Sequence, residues 1–338
     1  MRRAPGRGYT AAMAASFPAI RMRRTRAYAW SRAMVAETRL SPADLIWPIF
    51  VTTGAREPLR TLPFVERVPL AEVGVAAREA ATLGIPCIAL FPHGEPRSED
   101  ALNALSPGNL MCRAIAEAKA AAPEVGVLAD VALDPYTAHG HDGLLDARGS
   151  VDNDRTLDLL VGQALVQARA GADILAPSDM MDGRVGRIRT ALEADGFFTA
   201  QIMAYATKYA SCLYGPFREA VGSAGALKGG KQDYQMDWAN AEEALREVAL
   251  DLAEGADTVM VKPGLPYLDI LAAVRARFQV PTFAYHTSGE AAMIEGAVAM
   301  GALDRDKAIL ELLGAFKRAG AAGVLTYHAR DAARLLGG

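Results

Sequence analysis

Residues 241–285 read AEEALREVALDLAEGADTVMVKPGLPYLDILAAVRARFQVPTFAY, in which two amphipathic stretches alternate with two short apolar runs. The amphipathic stretches carry apolar residues at i, i+3 and i+4, which predicts helices over Ala241–Glu254 and Tyr267–Phe278. The runs Asp257–Val261 and Pro281–Tyr285 are largely apolar and bounded by Gly, Pro or Asp, which is typical of buried parallel strands. This alternation predicts repeated βα units.

The same alternation continues from Leu40 to the C terminus. Further strands are predicted over Leu45–Val51, Pro86–Phe91, Gly126–Val131, Asp173–Ala176, Thr199–Ala204 and Gly323–Thr326. Further helices are predicted over Leu70–Leu83, Leu110–Ala121, Thr156–Ala170, Met181–Asp195, Glu290–Met300 and Lys307–Ala319. We therefore expect an α/β fold in which residues 40–338 form a (β/α)8 TIM barrel. The alternative is a doubly wound open sheet, but no Gly-rich fingerprint follows the first strand.

The composition excludes several classes of protein. The chain has 338 residues, 51% of them hydrophobic, and a net charge of −3. These values exclude a disordered chain and argue against a nucleic-acid or membrane-surface partner. Three cysteines (Cys87, Cys112 and Cys212) are too few for a disulfide framework, so we expect a reducing, cytoplasmic compartment and interpret each thiol as buried and structural.

Residues 1–39 are expected to form an extended basic arm. The first 30 residues carry seven arginines and no acidic residue. This pattern resembles a transit peptide, but it is also typical of an exposed arm suited to an acidic surface on another subunit. Residues 1–16 are expected to be the least structured part of the chain.

Two lysines stand where barrel enzymes carry their chemistry, just after the strands. Lys262 ends a buried strand, and burial favours the neutral amine that forms a Schiff base with a ketone. The alternative is a lysine that extends to the barrel mouth or pairs with an acid. Lys208 follows the neighbouring strand, and two adjacent lysines suggest two carbonyl substrates; the alternative for Lys208 is a solvated loop position.

The loop at residues 130–143 is dense in polar side chains. Asp130 and Asp134 come directly after a strand, and two histidines and Asp142 follow. Asp134 and Asp142, with the two histidines, are suited to a hard metal ion held through oxygen ligands. A turn-rich loop with hydrogen-bonded aspartates is the alternative interpretation.

Six sequence motifs, which follow one another along the chain, carry a resemblance to a known family. They are Leu45–Phe50 (LIWPIF), the loop at 130–143, Ala176–Arg184 (APSDMMDGR), Lys208–Ser211 (KYAS) with Tyr214–Arg218 (YGPFR), Tyr234–Asp237 (YQMD) and Met260–Pro263 (MVKP). With them the chain resembles the porphobilinogen synthase (5-aminolevulinate dehydratase) family from about Phe17 to Leu336. That family consists of hydro-lyases of heme and tetrapyrrole biosynthesis. They condense two 5-aminolevulinate molecules into the pyrrole porphobilinogen with loss of two waters.

The resemblance implies roles for individual residues. Lys262 would hold the propionate-side substrate as a Schiff base, Lys208 would hold the acetate-side substrate, and Asp130 and Asp134 would accept protons. The implied substrate-binding residues are Ser288 and Tyr327 on the propionate side, Arg218, Lys231 and Gln235 on the acetate side, and Tyr205, Phe217 and Asp142. The segment at residues 209–235 corresponds to a lid over the site.

This chain differs from some family members at positions that bind metal ions in those members. Zinc-dependent members carry cysteines where this chain has Ala132, Asp134 and Asp142, so we expect no catalytic zinc. Glu247 aligns with a glutamate that binds an allosteric Mg²⁺ in some members; a solvated helix-face acid is the alternative, and a monovalent cation could also serve. His286 and His328 also depart from the usual residues.

The resemblance also implies an assembly. The family forms homo-octamers, with a less active hexamer, and its arm embraces a neighbouring subunit. One rival function is another Schiff-base lyase of the class I aldolase type, which needs only one lysine. A non-catalytic barrel is the other rival, but no lysine or carboxylate-binding group is missing.

Overall fold

The computed structural model describes residues 16–222, 227 and 229–337. The chain divides after Arg39 into an N-terminal unit and a barrel unit. The strands are β1 (Leu45–Thr52), β2 (Glu57–Leu59), β3 (Leu62–Pro69), β4 (Cys87–His93), β5 (Gly126–Val131), β6 (Ile174–Pro177), β7 (Gln201–Lys208), β8 (Thr258–Lys262), β9 (Thr282–His286) and β10 (Gly323–Thr326). The α-helices are α1 (Ala29–Met34), α2 (Val73–Thr82), α3 (Leu110–Ala121), α4 (Asn153–Ala170), α5 (Arg184–Ala194), α6 (Gly215–Ala220), α7 (Glu242–Ala253), α8 (Leu268–Phe278), α9 (Ser288–Ala299), α10 (Arg305–Ala319) and α11 (Ala329–Leu335).

In the described part of the chain, eight parallel strands close into a barrel. The order is β1, β4, β5, β6, β7, β8, β9 and β10, and β10 pairs back to β1. The predicted (β/α)8 barrel is therefore confirmed. Inward side chains such as Leu128 and Met260 pack in the barrel interior, whereas the outward Val259 and Val261 pack against the helices.

Glycines end three of the helices as their sequence context predicts. Gly171, Gly255 and Gly320 follow α4, α7 and α10 with φ of 107°, 103° and 107°. This left-handed conformation is easily reached by a residue without a Cβ, and it turns the chain into the next strand.

Three local features differ from the sequence-based predictions. The strand predicted to end at Ala204 continues to Lys208, and an unpredicted hairpin, β2–β3, lies beside β1. Cys87 and Cys112 are buried, but Cys212 is exposed, so the prediction of a buried thiol was wrong for Cys212. It begins a short 3₁₀ helix (Cys212–Tyr214) in the connection that follows β7.

Arginine side chains of the N-terminal unit form hydrogen bonds to backbone carbonyls within the same unit. Arg24 donates to the carbonyl of Ala19 at 2.7 Å, and Arg32 donates to the carbonyl of Arg26 at 2.7 Å. A 3₁₀ helix (Met22–Thr25) and α1 are its regular elements, and most of its side chains are exposed. Predictions for residues 1–15 lie outside the described residues. In the described part of the chain, no helix combines the length and the hydrophobicity that a membrane span requires.

The hairpin supports α6. Arg67 on β3 donates to the main-chain carbonyls of Glu219 at 2.7 Å and Ala220 at 3.0 Å, at the end of that helix. Arg67 is also ion-paired with Glu57 across the hairpin. The barrel's first connection thus holds the helix that carries Phe217 and Arg218.

We predict that Arg67→Met lowers the free energy of unfolding by about 2 kcal/mol, because two charge-assisted hydrogen bonds to α6 are lost. Arg60→Met is the control, since Arg60 is 83% exposed beside Glu219, and it should change stability by less than about 0.5 kcal/mol. Urea denaturation measures both. Equal effects of the two substitutions on stability would contradict the role of Arg67 in supporting α6.

Candidate active site

Two lysines lie side by side at the carboxyl ends of neighbouring strands. Lys208 ends β7, Lys262 ends β8, and they are direct partners across the parallel ladder. Between Ala204 and Thr207 the register shifts, because three steps along β7 match two along β8. Such a bulge reverses which side chains face inward. It brings Lys208 into the cleft that Lys262 lines.

Lys262 is buried among aromatic rings. Its Nζ lies near four ring centroids, those of Tyr285 (4.3 Å), Phe217 (4.8 Å), Tyr205 (5.1 Å) and Tyr214 (5.3 Å). Ring faces attract a cation. Burial, followed by the nearby charge of Lys208, lowers the pKa of Lys262 to about 7. A large fraction of neutral, nucleophilic amine is therefore present at neutral pH.

Lys208 contacts oxygen acceptors. Its Nζ donates to the main-chain carbonyl of Ser178 and lies 3.7 Å from Oδ1 of Asp142. Ser178 begins a turn in which Met180 has a φ of 70°, and the Asp179 carboxylate accepts a backbone hydrogen bond at 2.7 Å within that turn. The turn after β6 thus presents a carbonyl oxygen to Lys208.

Asp142 links two lysines. Its Oδ2 accepts a hydrogen bond from Lys231 Nζ at 2.7 Å, while Oδ1 faces Lys208. Burial alone would raise the pKa of Asp142, but the two lysines together lower it to about 2. Lys231 also lies 3.8 Å from Asp134, and the two carboxylates raise the pKa of Lys231 against the effect of burial.

Asp130 differs from Asp142 in its protonation. Burial, followed by the charge of Asp134, raises the pKa of Asp130 to about 7, although Lys262 and Lys208 oppose the shift. Burial also raises the pKa of Asp134. An amine and a carboxyl whose pKa values both lie near 7 are suited to proton transfer at neutral pH.

These groups share one cleft of about 370 Å³. Its lining is Asp130, Asp134, Asp142, Ser178, Lys208, Tyr214, Phe217, Arg218, Lys231, Gln235 and Lys262. Nine of the residues predicted from sequence are therefore brought together, and Tyr205 contacts Lys262 directly. Phe217, Arg218, Lys231 and Gln235 come from the segment that follows β7.

Ser288 and Tyr327 are not part of that cleft lining. Ser288, the first residue of α9, accepts a hydrogen bond from the backbone N–H of Phe217 at 2.9 Å. The hydroxyl of Tyr327 lies 2.8 Å from that of Tyr285. Both residues therefore contact a neighbour of the Lys262 amine: Ser288 bonds the backbone of Phe217, and Tyr327 bonds the hydroxyl of Tyr285.

Some site residues were missed by the sequence analysis. Tyr214 and Tyr285 were not assigned to the site, although Tyr285 stands near the end of a predicted strand, the position at which barrel site residues concentrate. Arg184 was also missed as a structural support. It is 2% exposed, forms two hydrogen bonds with Asp251 at 2.9 and 3.0 Å, and lies 3.8 Å from Asp179 behind the turn after β6.

Glu247 lies in a second cleft of about 920 Å³, which shares Gln235 with the first. Asp182, Asp237 and Glu243 line the same cleft, and burial raises the pKa of Glu247. Among the described residues, no three His, Cys, Asp or Glu side chains form a group that could hold a metal ion.

Comparisons with known proteins agree over nearly the whole chain. The model of one family, delta-aminolevulinic acid dehydratase, matches residues 19–335. A delta-aminolevulinic acid dehydratase of Bradyrhizobium diazoefficiens is 56% identical, covering 94% of this chain and 91% of the relative. One from Rhodobacter capsulatus is 52% identical, with coverages of 95% and 98%. The crystal structure of the Toxoplasma gondii enzyme in complex with the reaction product porphobilinogen has a TM-score of 0.91 at 44% identity, covering 93% of this chain and 91% of that one.

The charge of Lys208 should control the titration of Lys262. We predict that Lys208→Met raises the pKa of Lys262, because a neighbouring positive charge is removed. Borohydride trapping of an imine with 4-oxopentanoate then reaches its half-maximal rate at a higher pH than in the unmodified protein. Lys208→Arg retains the charge and should leave that pH unchanged. Identical pH profiles for both variants would contradict the coupling.

Proposed function

The chain belongs to the delta-aminolevulinic acid dehydratase family, and we propose that it condenses two molecules of 5-aminolevulinate to porphobilinogen, each held as a Schiff base on its own lysine. The observation that carries the proposal is the pairing of Lys208 with Lys262 at adjacent strand ends. A ketone substrate requires one amine nucleophile, and two ketone substrates in one cleft require two. Holding both substrates together also supplies the proximity that a two-substrate condensation needs.

The chemistry balances with two waters. Lys262, as the neutral amine, attacks the ketone carbon of one substrate and Lys208 that of the other, and each imine formed releases one water. Removal of a proton beside one imine gives a carbon nucleophile, which attacks the carbon of the other imine. A substrate amine then attacks the remaining imine carbon and closes the ring, and both lysines leave as free amines while the ring loses protons to become aromatic.

We assign the proton acceptor to Asp130. Its pKa of about 7 matches a group that must both take up and release protons near neutrality. Asp142, with a pKa of about 2, remains a carboxylate, and we assign it to hold Lys208 and Lys231 in place. Asp134 is the second candidate acceptor, because its pKa is also raised.

We assign the substrate carboxylates to two groups of residues. Arg218, Lys231 and Gln235 line the cleft and offer donors to one carboxylate. Ser288 and Tyr327 offer hydroxyls for the other, next to Phe217 and Tyr285.

The purified protein is predicted to form pyrrole from 5-aminolevulinate. Lys262→Met should abolish the product because one of the two amines that form Schiff bases is lost, and Asp130→Asn should lower kcat by about 10²- to 10⁴-fold. Lys307→Met, at an 82% exposed lysine, is the control and should retain activity. The assay is spectrophotometric detection of pyrrole after incubation with a chelator. A borohydride-trapped imine on Lys262 without pyrrole would instead support a single-Schiff-base lyase of the aldolase type.

We propose no catalytic zinc. Ala132 has no ligating atom, and Asp134 and Asp142 already face Lys231 at 3.8 and 2.7 Å. Zinc prefers thiolate and imidazole ligands to carboxylates that are neutralised by lysine. Away from the lysines, Glu247 and its acidic neighbours suit a largely hydrated Mg²⁺, which binds through one or two carboxylates. A monovalent cation is the alternative activator.

If Glu247 holds an activating Mg²⁺, adding Mg²⁺ to chelator-treated protein should raise the rate by about fivefold or more. Glu247→Gln should remove that response and leave the basal rate unchanged. Arg78→Gln, far along the chain on α2, is the control for a surface substitution and should keep the response. Activation by K⁺ alone, or an intact Mg²⁺ response in Glu247→Gln, would contradict the Mg²⁺ assignment.

We further propose a cytoplasmic homo-octamer, with a hexamer as the alternative assembly. The basic arm supports this proposal, since it exposes Phe17, Tyr28 and Trp30 in addition to its arginines. Exposed apolar and positively charged side chains together are typical of a surface that binds a partner subunit.

A further inference from the structure

Two buried histidines adjoin the residues assigned to the propionate-side carboxylate. His286 ends β9, two residues before Ser288, and His328 directly follows Tyr327. Each histidine is 1% exposed, and their rings are stacked with centroids 5.6 Å apart. No step of the proposed reaction uses either of them.

One hydroxyl joins the two histidines. His286 Nδ1 lies 2.9 Å from Thr326 Oγ1, and the same oxygen accepts a hydrogen bond from the backbone N–H of His328 at 3.2 Å. Thr326 and His286 are direct partners across β9 and β10. On the neighbouring positions of these strands, the hydroxyls of Tyr285 and Tyr327 meet at 2.8 Å. The histidine contact and the tyrosine contact therefore cross-link the same two strand ends.

His328 connects the histidine pair to the surrounding helices. His328 Nε2 lies 2.9 Å from Oε1 of Glu295 on α9, which also accepts a hydrogen bond from Arg305 of α10 at 2.8 Å. Arg305 donates in turn to Asp331 of α11 at 2.7 Å. The ring of His328 also stacks on Phe64 of the β2–β3 hairpin, with centroids 4.8 Å apart.

Burial lowers the pKa of His286 to about 3 and also lowers that of His328. Both imidazoles are therefore neutral at neutral pH. In a neutral imidazole one nitrogen donates and the other accepts, so a bond from His328 to the Glu295 carboxylate fixes the Nε2–H tautomer. The pair is thus oriented by hydrogen bonds at both ends.

We propose that His286 and His328 are positioning residues that hold Ser288 and Tyr327 in the geometry needed to bind the substrate carboxylate. This inference rests on the proposed function, which assigns that carboxylate to Ser288 and Tyr327. The Thr326 link fixes the two strand ends relative to each other, and the Glu295 contact fixes them relative to α9, the helix that begins with Ser288.

The test compares a keto acid with a ketone. Imines on Lys262 are trapped with borohydride at increasing concentrations of 4-oxopentanoate or of pentan-2-one, which lacks the carboxylate. His328→Phe retains an aromatic ring against Phe64 but loses the bond to Glu295. We expect the half-saturating concentration of 4-oxopentanoate to rise about tenfold, which is the effect expected from the loss of one charge-assisted hydrogen bond. The half-saturating concentration of pentan-2-one should stay unchanged. His328→Gln keeps an amide donor near Nε2 and should restore most of the affinity for the keto acid.

Glu295→Ala provides a second route to the same answer if His328→Phe does not fold. It breaks the contact from a side chain that is 24% exposed and should cause the same selective loss. Equal changes for both ketones, no change for either, or a His328→Gln variant as impaired as His328→Phe would overturn the proposal. Pyrrole formation by the unmodified protein is measured separately, so that its absence counts against the proposed function and the ketone comparison alone decides the positioning role.

Discussion

The burial of the Lys262 amine is the constraint on which the rest of the site depends. An ammonium group in an apolar barrel interior is unfavourable, and its free energy is lowered either by pairing or by loss of the proton. Here Asp130, Asp134 and Asp142 supply negative charge, but burial and the nearby Lys208 still lower the pKa of Lys262 to about 7. The aromatic rings surround the buried amine, and a ring face is not a strong hydrogen-bond acceptor. The same arrangement that destabilises the charged lysine therefore prepares the nucleophile.

The surroundings of Lys208 differ from those of Lys262, and they depend on the shifted register of β7. In a regular strand, alternate side chains face opposite sides, so Tyr205 and Lys208 could not both face the interior without the shift between Ala204 and Thr207. The shifted register sets Lys208 opposite Lys262, and the Ser178 carbonyl and Asp142 hold its amine. One lysine is thereby surrounded by oxygen acceptors and the other by rings. The positive charge of Lys208 in turn favours the neutral form of Lys262.

The fold was largely predictable because the hydrophobic pattern and the helix-ending glycines report on local structure. Lys262 was predictable as well, since a lysine at the end of an apolar strand stands out. The bulge in β7 was not, because the segment from Ala204 to Thr207 contains no Gly or Pro to mark it. The Ser178 contact was also hidden, because its acceptor is a backbone carbonyl that any residue could supply. The rings around Lys262 come from four separate positions in the chain, and only the closed barrel brings them together.

The proposed chemistry requires that Lys262 is substantially neutral at neutral pH. Trace acetylation of the unliganded protein with acetic anhydride, followed by mass spectrometry of its peptides, measures the reactivity of each lysine as a function of pH. We expect labelling of Lys262 to be half-maximal near pH 7, well below that of the exposed Lys307. A half-maximal pH near 10.5, the ordinary value for a lysine, would contradict it.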